Sequence, residues 1–198
     1  MNNTLEYYKQ NAEQFVQGTI SVDFTATQER FLAKLFVGAD ILDFGCGSGR
    51  DTKYFLEKGY EVEAVDGSAE LCKLACEFTG IPVKQMLFEE LNQKEMYDGI
   101  WACSSILHLD KCVLKDVLKK MAMALKANGV VYTSFKYGDF EGERNGRYFT
   151  DFTPESFGEY LQGVPELWIE EYWITGDVRP GRSEEKWLNL ILRKSDIH

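Results

Sequence analysis

The residues with the clearest chemical potential lie between positions 41 and 68, in the stretch ILDFGCGSGRDTKYFLEKGYEVEAVDGS. Glycines at 45, 47 and 49 follow an apolar run that predicts a buried strand. Such a turn lets the backbone approach a cofactor closely, because glycine has no Cβ. A dinucleotide site uses G-x-G-x-x-G, whose third glycine would fall at the position of Arg50. The spacing therefore differs by one residue from that of a dinucleotide site.

Acidic residues end the two strands that flank this turn. Asp43 stands two positions before the first glycine, and we expect its carboxylate to point into the site. There it would repel a pyrophosphate and attract a cation. S-adenosylmethionine carries an ammonium and a sulfonium and no phosphate. Asp66 ends the next strand, where a carboxylate binds the ribose hydroxyls of an adenosine cofactor. The sequence thus favours S-adenosylmethionine, and a nicotinamide-dependent dehydrogenase is the weaker alternative.

Candidate groups for the second substrate come later in the chain. His108 follows the fourth predicted strand, and its pKa range suits a general base; a structural histidine at a helix entry is the alternative. Arg147 and Tyr148, in the segment GRYF, are candidates to hold an anionic acceptor by charge-assisted hydrogen bonds. Arg144 has the same potential, and a solvated loop arginine is its alternative role.

Alternating helix-like and strand-like segments must position these residues. Helices are predicted over 4–17, 25–36, 50–58, 68–78, 111–126 and 154–161, and strands over 40–44, 60–66, 81–86, 97–103, 130–135, 167–175 and 185–193. This alternation predicts an α/β fold with an open, mostly parallel sheet and helices on both faces. We expect the last two strands, joined by 176–183, to form a hairpin that adds an antiparallel edge. Residues 136–152 predict an irregular lid or binding loop.

With these motifs in order, nearly the whole chain resembles the class I S-adenosylmethionine-dependent methyltransferases. LDFGCGSGR resembles their motif I, YDGIWACSSILHL their fourth-strand motif, and LKANGVVYTSF the segment that leads into the fifth strand. The chain is similar to small bacterial members of the tellurite-resistance and ubiquinone-biosynthesis type. The resemblance implies a Rossmann-like three-layer sandwich with seven strands. It also implies S-adenosyl-L-methionine as cofactor and S-adenosyl-L-homocysteine as product.

The same resemblance implies which residues bind the cofactor. They come from the glycine turn, the ends of the strands and the N-terminal helix: Asp43, Gly45, Cys46, Gly47, Gly49, Asp66, Gly67, Phe88, Ala102, Cys103 and Tyr8. Phe88 follows the third strand, where the family's adenine pocket lies, and plain core packing is its alternative role. Tyr8 or its neighbour Tyr7 would close over the methionine end, and aromatic core packing is again the alternative. Trp187 is expected to pack in the core or on an edge strand rather than against substrate.

The composition limits the class of partner. The chain has 198 residues, a net charge of −10 and a pI of about 4.8, which disfavours nucleic acid or an anionic membrane as the main partner. No apolar run approaches the ~20 residues that span a bilayer, and the polar N-terminus lacks the apolar core of a secretory signal. Five scattered cysteines suggest a reducing compartment, so we expect a cytoplasmic protein. Cys72 and Cys76 lack a partner pair, so no metal site is predicted and the cysteines are expected to be buried.

These observations lead to one hypothesis with alternatives. Residues 1–198 form a single methyltransferase domain, with N-terminal cover helices over 1–36 and a Rossmann-like core over 40–198. The protein methylates a small molecule as a monomer or homodimer. An RNA or protein methyltransferase, or a non-catalytic module that binds S-adenosylmethionine, is the alternative. The sequence does not name the atom that receives the methyl group.

Overall fold

The computed structural model describes residues 2–179, 181–182 and 184–195. The helices are α1 Asn2–Thr19, α2 Thr25–Leu32, α3 Arg50–Glu57, α4 Ala69–Thr79, α5 Lys111–Ala124 and α6 Pro154–Leu161. The strands are β1 Asp40–Phe44, β2 Glu61–Asp66, β3 Val83–Gln85, β4 Tyr97–Ala102, β5 Leu125–Lys136, β6 Glu141–Arg144, β7 Arg147–Thr150, β8 Leu167–Gly176 and β9 Lys186–Lys194. Short 3₁₀ turns follow β3 at Phe88–Glu90 and β4 at Ile106–His108.

Seven strands form one sheet in the order β3-β2-β1-β4-β5-β9-β8. The first five run parallel, whereas β9 runs antiparallel to both of its neighbours, β5 and β8. The predicted seven-stranded Rossmann-like sheet with an antiparallel member is confirmed. The terminal hairpin lies at the edge of the sheet: β9 is the antiparallel member, and β8, parallel to β5, is the outermost strand. Pro180 and Ser183, in the predicted hairpin connection, lie outside the described residues.

The sheet separates two groups of helices, which gives the three layers. Helices α5 and α6 bury the larger core against one face, around side chains such as Leu118 and Phe157. On the other face α2 and α3 enclose Trp101, which is fully buried among Phe31 and Phe55, and α4 packs through Ala75. Because alternate residues of a strand face opposite sides of the sheet, each strand supplies both cores.

The segment 136–152 is not an irregular loop, as predicted, but contains the β6–β7 hairpin. Its turn is Asn145-Gly146, with φ +51° and +75°. Two successive positive φ values define the two-residue turn that matches the twist of paired strands, and Asn-Gly is its strongest sequence signal. The segment GERNGRYF contains this signal at Asn145-Gly146.

Helix α1 lies over the carboxyl end of the sheet. It packs against α4 and against β7, and Asn11 interrupts its helical backbone. Thr4 Oγ1 accepts a hydrogen bond of 3.0 Å from the Tyr148 backbone N–H. The helix is therefore joined to the β6–β7 hairpin, and the two elements form a common cover.

Two further expectations concern the whole chain. The cysteines were expected to be buried, and Cys46 and Cys72 are, but Cys76 and Cys112 are exposed because they lie on the solvent faces of their helices. Among the described residues, no helix is both long enough and apolar enough to cross a bilayer.

Candidate active site

A cavity of about 690 Å³ opens at the carboxyl ends of the parallel strands. Ligands of open α/β sheets bind at this edge, where the strand order reverses, here between β1 and β4. Helix α1, the β6–β7 hairpin and the connection between β8 and β9 supply the other walls. The cavity thus has an end at the glycine turn and an end at the C-terminal hairpin.

The glycine turn lines the first end through Gly45, Cys46 and Gly47. Gly45 has φ +88°, and a Cβ there would lie 2.5 Å from the Cβ of Ser105. Gly47 has φ +55°, and a Cβ there would lie 3.0 Å from the ring of Phe15 on α1. Both the backbone conformation and the close approach therefore require glycine at these positions.

Asp66 lines the cavity at the end of β2, as predicted from its position. Its carboxylate accepts hydrogen bonds of 2.9 Å from the backbone N–H groups of Gly47 and Ser68. Burial raises the pKa of Asp66, against the lowering effect of these hydrogen bonds. The carboxylate is thereby fixed between the glycine turn and α4, with lone pairs left for hydroxyl donors in the cavity.

Asp43 does not point into the cavity, contrary to the expectation from sequence. It is 2% exposed, and the hydroxyl of Thr52 donates a hydrogen bond of 2.5 Å to its Oδ2. Burial, followed by the nearby charge of Asp51, raises the pKa of Asp43. Its side chain therefore lies beneath the glycine turn, where it ties β1 to the first turn of α3.

Gly49 and Ala102 also lie outside the lining of the cavity. Gly49 is held against α4, where an added Cβ would lie 2.7 Å from Thr79. Ala102, the last residue of β4, is completely buried in the core. Both positions support the residues that follow them rather than forming the surface of the site.

Beyond β4 the chain places three residues on the cavity wall: Cys103, Ser104 and Ser105. Burial raises the pKa of the Cys103 thiol to about 12, so it is no nucleophile near neutral pH. Ser104 has φ +50°, an uncommon conformation for a residue with a side chain. Ser105 donates a hydrogen bond of 2.7 Å to the carbonyl of Phe44. Sequence reasoning missed both serines, because nothing in the sequence indicates a strained turn here.

Phe88 lies on the wall after β3, beside Leu87 and Met86. Its ring packs edge-on against Phe44, at 4.8 Å between centroids, and an added Cβ on Gly45 would lie 3.2 Å from it. Phe88 therefore packs in the core with one side of its ring and faces the cavity with the other. The two alternatives left open by the sequence are both compatible with this position.

Tyr8, on α1, meets His108 inside the cavity. The Tyr8 hydroxyl lies 3.0 Å from His108 Nε2, and His108 Nδ1 lies 2.6 Å from the backbone oxygen of Tyr148. Burial lowers the pKa of His108 to about 4, and the positive charge of Arg147 acts in the same direction. The imidazole is neutral near pH 7, and both of its nitrogens already have partners.

Arg147 reaches into the cavity from β7 and lies above the ring of Tyr7, with 4.6 Å to the centroid. Its Nη1 donates a long hydrogen bond of 3.4 Å to the Tyr8 hydroxyl, and its buried Nε has no partner among the described residues. Arg144 differs, because it pairs with Asp151 at 2.6 Å. Arg147 is thus the arginine of the hairpin whose buried Nε has no partner among the described residues.

The expected substrate contact of Tyr148 is not seen. Its side chain is outside the cavity lining, and its hydroxyl donates to Glu141 at 3.2 Å. Adjacent residues of a strand face opposite sides, so Arg147 and Tyr148 cannot both point inward. Tyr148 contributes through its backbone, which hydrogen bonds to Thr4 and His108.

The C-terminal hairpin supplies a wall that sequence reasoning missed. Trp187 and Asn189 on β9 line the cavity together with Asp177. The Trp187 indole N–H donates to Asp177 at 3.1 Å, and the amide of Asn189 donates to Thr175 at 3.0 Å. Trp187 was expected only to pack in the core or on an edge strand. A hairpin pattern carries no information about which end of the sheet its residues reach.

Part of the chain that forms this site matches a known protein family. Residues 41–129 match the family model of a methyltransferase domain. No curated protein sequence matches the chain. The match begins in β1, covers the glycine turn, Asp66 and the wall after β4, and ends before the main part of β5.

Solved structures share the fold at low sequence identity. The 1,6-didemethyltoxoflavin-N1-methyltransferase of Burkholderia thailandensis, with 1,6-didemethyltoxoflavin and S-adenosylhomocysteine bound, has a TM-score of 0.79 and 22% identity, over 97% of this chain and 87% of that one. The N-methyltransferase NodS of Bradyrhizobium japonicum, in complex with S-adenosylhomocysteine, has a TM-score of 0.72 and 16% identity, over 95% and 98%. The [4+2]-cyclase SpnF has a TM-score of 0.72 and 13% identity, over 96% and 94%.

SpnF demonstrates that this fold also serves another reaction, so fold alone does not assign the chemistry. The tellurite-resistance or ubiquinone-biosynthesis subtype remains a prediction from resemblance. Residues 41–129 thus match a methyltransferase domain, and the chain as a whole shares the fold of methyltransferases that have been solved with S-adenosylhomocysteine bound.

Proposed function

We propose that this protein transfers the methyl group of S-adenosylmethionine to a small-molecule acceptor inside the cavity described above. The observation that carries the proposal is one continuous cavity of about 690 Å³, which runs from the glycine turn to the C-terminal hairpin. Pockets for small ligands typically measure roughly 300–1,000 Å³. The sulfonium is already an activated leaving group, so alignment and exclusion of water supply most of the acceleration.

The end at the glycine turn is proposed to hold the cofactor. Gly45, Cys46 and Gly47 would approach its amino-acid part and ribose, while the carboxylate of Asp66 accepts hydrogen bonds from the ribose hydroxyls. The position of Asp66, held by two backbone N–H groups, supports this role. The cofactor's positive charge suits a site in which this carboxylate lies among buried groups.

Further contacts would come from the strands on either side. Phe88 is proposed to pack against the adenine, and Gly67 and Cys103 to contact the cofactor from the ends of β2 and β4. These three residues line the cavity, as do Tyr8 and the glycine turn. Asp43, Gly49 and Ala102 would act one layer below, by fixing the turn and the end of β4.

The other end is proposed to hold an acceptor that carries an anionic group. Six of its lining side chains are cationic and four are acidic: Lys136, Arg144, Arg147, Arg179, Arg182 and Lys186 against Asp151, Asp177, Glu184 and Glu185. This is the reverse of the chain as a whole, whose net charge is −10. Arg147 is the proposed anchor, because its buried Nε has no partner among the described residues.

The size class of the acceptor is supported by one similar structure. The Burkholderia thailandensis enzyme binds 1,6-didemethyltoxoflavin, a small molecule, within the same fold. In our proposal α1 and the β6–β7 hairpin, joined by the hydrogen bond between Tyr148 and Thr4, cover part of the cavity and limit the size of the acceptor. The acidity of the chain also opposes a nucleic-acid substrate.

The remaining parts of the proposal concern organisation. Residues 1–198 are proposed to act as one domain, with 1–36 as the cover and 40–198 as the Rossmann-like core. The protein would work in the cytoplasm, as a monomer or homodimer, without nucleic acid or membrane as partner.

Two measurements test the proposed function. Titration calorimetry with S-adenosylmethionine, S-adenosylhomocysteine and NAD should detect the first two and not the third. Tight binding of NAD without a response to S-adenosylhomocysteine would contradict the cofactor assignment. A screen of small-molecule, RNA and protein acceptors for release of S-adenosylhomocysteine should give turnover with a small molecule. Turnover only with RNA or protein would overturn the acceptor class, and cofactor binding without turnover would indicate a non-catalytic module.

A further inference from the structure

The contact between Tyr8 and His108 has a definite direction. A carbonyl oxygen can only accept, so the 2.6 Å contact between His108 Nδ1 and the Tyr148 oxygen places the proton on Nδ1. Nε2 of the neutral ring is then an acceptor, and the Tyr8 hydroxyl, 3.0 Å away, is its donor. No nitrogen of His108 is left for a substrate. The group of this pair that an acceptor can reach is the oxygen of Tyr8.

Tyr8 occupies a central place in the cavity. Its ring packs edge-on against Phe15, which lies over Gly47 in the proposed cofactor end. On the other side its hydroxyl is 3.4 Å from Arg147, the proposed acceptor anchor. Tyr8 therefore lies between the two ends, and its hydroxyl is next to both His108 and Arg147.

We propose that Tyr8 is the group that takes the proton from the methyl acceptor and passes its own proton to His108. This inference rests on the proposed function, because it requires an acceptor at the Arg147 end. Tyr8 would be a catalytic residue, in contact with the acceptor, whereas His108 acts through Tyr8 and is a positioning and proton-storing residue.

Methyl transfer is accompanied by two proton transfers. The acceptor atom uses a lone pair to form a bond with the methyl carbon, and the bond between that carbon and sulfur breaks with its electron pair remaining on sulfur. The bond between the acceptor atom and its proton breaks, and the proton moves to the oxygen of Tyr8. The hydroxyl proton of Tyr8 moves to Nε2 of His108. The products are the methylated acceptor, neutral S-adenosylhomocysteine and an imidazolium, which later returns its proton to water.

Several charged or titratable groups surround the pair and affect the protonation of Tyr8 and His108. The groups that face it from α1, β2, β7 and the β8–β9 connection are Tyr7, Asp66, Arg147 and Arg179. Burial lowers the pKa of His108 to about 4 and raises the pKa of Tyr8, so the resting pair is a neutral imidazole and a neutral phenol. Arg147 opposes an imidazolium, which makes His108 a weak base.

A weak base restricts the acceptor class. A hydroxyl oxygen, or a nitrogen whose lone pair belongs to an aromatic or amide system, becomes strongly acidic while it is being methylated. Its proton then moves readily to a base with a pKa near 4. An aliphatic amine stays protonated after methylation, because its ammonium is a far weaker acid. The hydrogen-bonded pair of Tyr8 and a buried, weakly basic His108 therefore suits an acceptor with a neutral O–H or a weakly basic N–H at the methylated atom.

The hydrogen-bond pair can be tested without an acceptor. The full chain has two histidines, so ¹⁵N-histidine NMR with and without S-adenosylhomocysteine gives a simple spectrum, which His108→Gln assigns. We expect the Nδ1-protonated tautomer of His108 and no titration above about pH 5. Tyr8→Phe should shift the Nε2 signal and raise the titration midpoint, while Tyr172→Phe, an exposed site outside the cavity, should change neither. An Nε2-protonated tautomer, or an ordinary midpoint near 6.5, would overturn the inference.

The proton transfer is tested with a panel of phenols, heteroaromatic N–H compounds and aliphatic amines. With whichever panel member is methylated, Tyr8→Phe should lower kcat by about 10²-fold and change the S-adenosylhomocysteine Kd by less than about threefold. His108→Gln retains an acceptor for the Tyr8 hydrogen bond but cannot store a proton, so its kcat should fall as well. Full kcat in His108→Gln, a matched loss of kcat and cofactor affinity in Tyr8→Phe, or methylation of amines alone would contradict the relay. If the wild-type protein methylates no panel member, the inferred acceptor class is wrong, and the NMR result still decides the pair separately.

Discussion

Two aspartates at the same edge of the sheet have different surroundings. Asp66, at the end of β2, lines the cavity and is held by the N–H groups of Gly47 and Ser68. Asp43, one strand away on β1, is buried under the turn and bound by Thr52. The difference makes them a matched pair for testing which carboxylate contacts the cofactor.

We expect Asp66→Ala to raise the Kd for S-adenosylhomocysteine at least about tenfold. The reason is the loss of charge-assisted hydrogen bonds to the ribose hydroxyls, each of which contributes roughly 1.5–3 kcal/mol. Asp43→Asn retains an acceptor for Thr52 and should change the Kd by less than about threefold. Titration calorimetry measures both, and thermal unfolding verifies that each variant is folded. A larger effect of Asp43→Asn than of Asp66→Ala would reverse our assignment.

Gly45 is expected to tolerate no side chain. In Gly45→Ala the new Cβ would approach Ser105 to 2.5 Å at a backbone φ of +88°. Gly59→Ala is a matched control, because Gly59 has φ +86° and nothing within 4 Å of an added Cβ. The control should lose about 1–2 kcal/mol of unfolding free energy from backbone strain alone. Gly45→Ala should lose clearly more unfolding free energy than the control and should bind S-adenosylhomocysteine weakly. Equal losses in urea denaturation would show that the contact with Ser105 does not destabilise the variant.

At the scale of elements, the proposed acceptor end is built from two elements added to the parallel core. The β6–β7 hairpin contributes Arg147, and α1 contributes Tyr8. The two are linked by the hydrogen bond from the Tyr148 N–H to Thr4 and by the position of Arg147 above Tyr7. In our proposal, acceptor specificity therefore depends on these two short elements.

Arg147→Ala should raise the KM for the acceptor or lower kcat, and leave the affinity for S-adenosylhomocysteine nearly unchanged. The physical reason is that Arg147 lies on the hairpin, whereas the proposed cofactor contacts come mainly from β1, β2 and β4. Arg147→Lys keeps the charge but loses the planar donor group, so it should restore activity only in part. Steady-state kinetics and calorimetry separate the two effects. Loss of cofactor affinity with unchanged acceptor kinetics would assign the hairpin to the cofactor.

For the whole molecule, buried ionisable groups link stability to pH. The pKa of His108 is lowered to about 4 in the folded protein, so between that value and 6.5 the unfolded chain binds a proton that the folded chain does not. The stabilising effect of a neutral His108 is therefore present above pH 6.5 and is lost as the pH falls toward 4. Asp43 acts with the opposite sign, because its pKa is raised by burial and the folded state binds the extra proton above pH 3.8.

We expect His108→Gln to be less sensitive to acid than the wild-type protein. The difference in unfolding free energy between the two should change by up to about 3 kcal/mol between pH 7 and pH 4, in favour of the variant at low pH. Urea denaturation across this range measures it. Asp43 and His198 are present in both proteins, so their contributions cancel in the difference. Parallel stability curves would show that His108 titrates alike in the folded and unfolded chains.

The sequence by itself determined the parallel core and the end of the cavity at the glycine turn. Strand and helix periodicity is local, and the glycine spacing places the turn directly after β1, so the sheet edge, Gly45, Gly47 and Asp66 followed from neighbouring residues. The alternation of helices and strands also predicted the seven strands of the main sheet, whereas the four-residue strands β6 and β7 were too short to be predicted from their pattern.

Only the tertiary structure decided which side chains meet across the cavity. Tyr8 and His108 are 100 positions apart, and Arg147 is 139 positions from Tyr8, so their contacts depend on how α1 and the hairpin are placed over the sheet. The orientation of Asp43 depended on Thr52, and the outward side of Tyr148 depended on the register of β6 with β7. These contacts and orientations depend on packing between elements that are distant in sequence. A local pattern does not predict them, because the same strand or helix can present either face to a given neighbour.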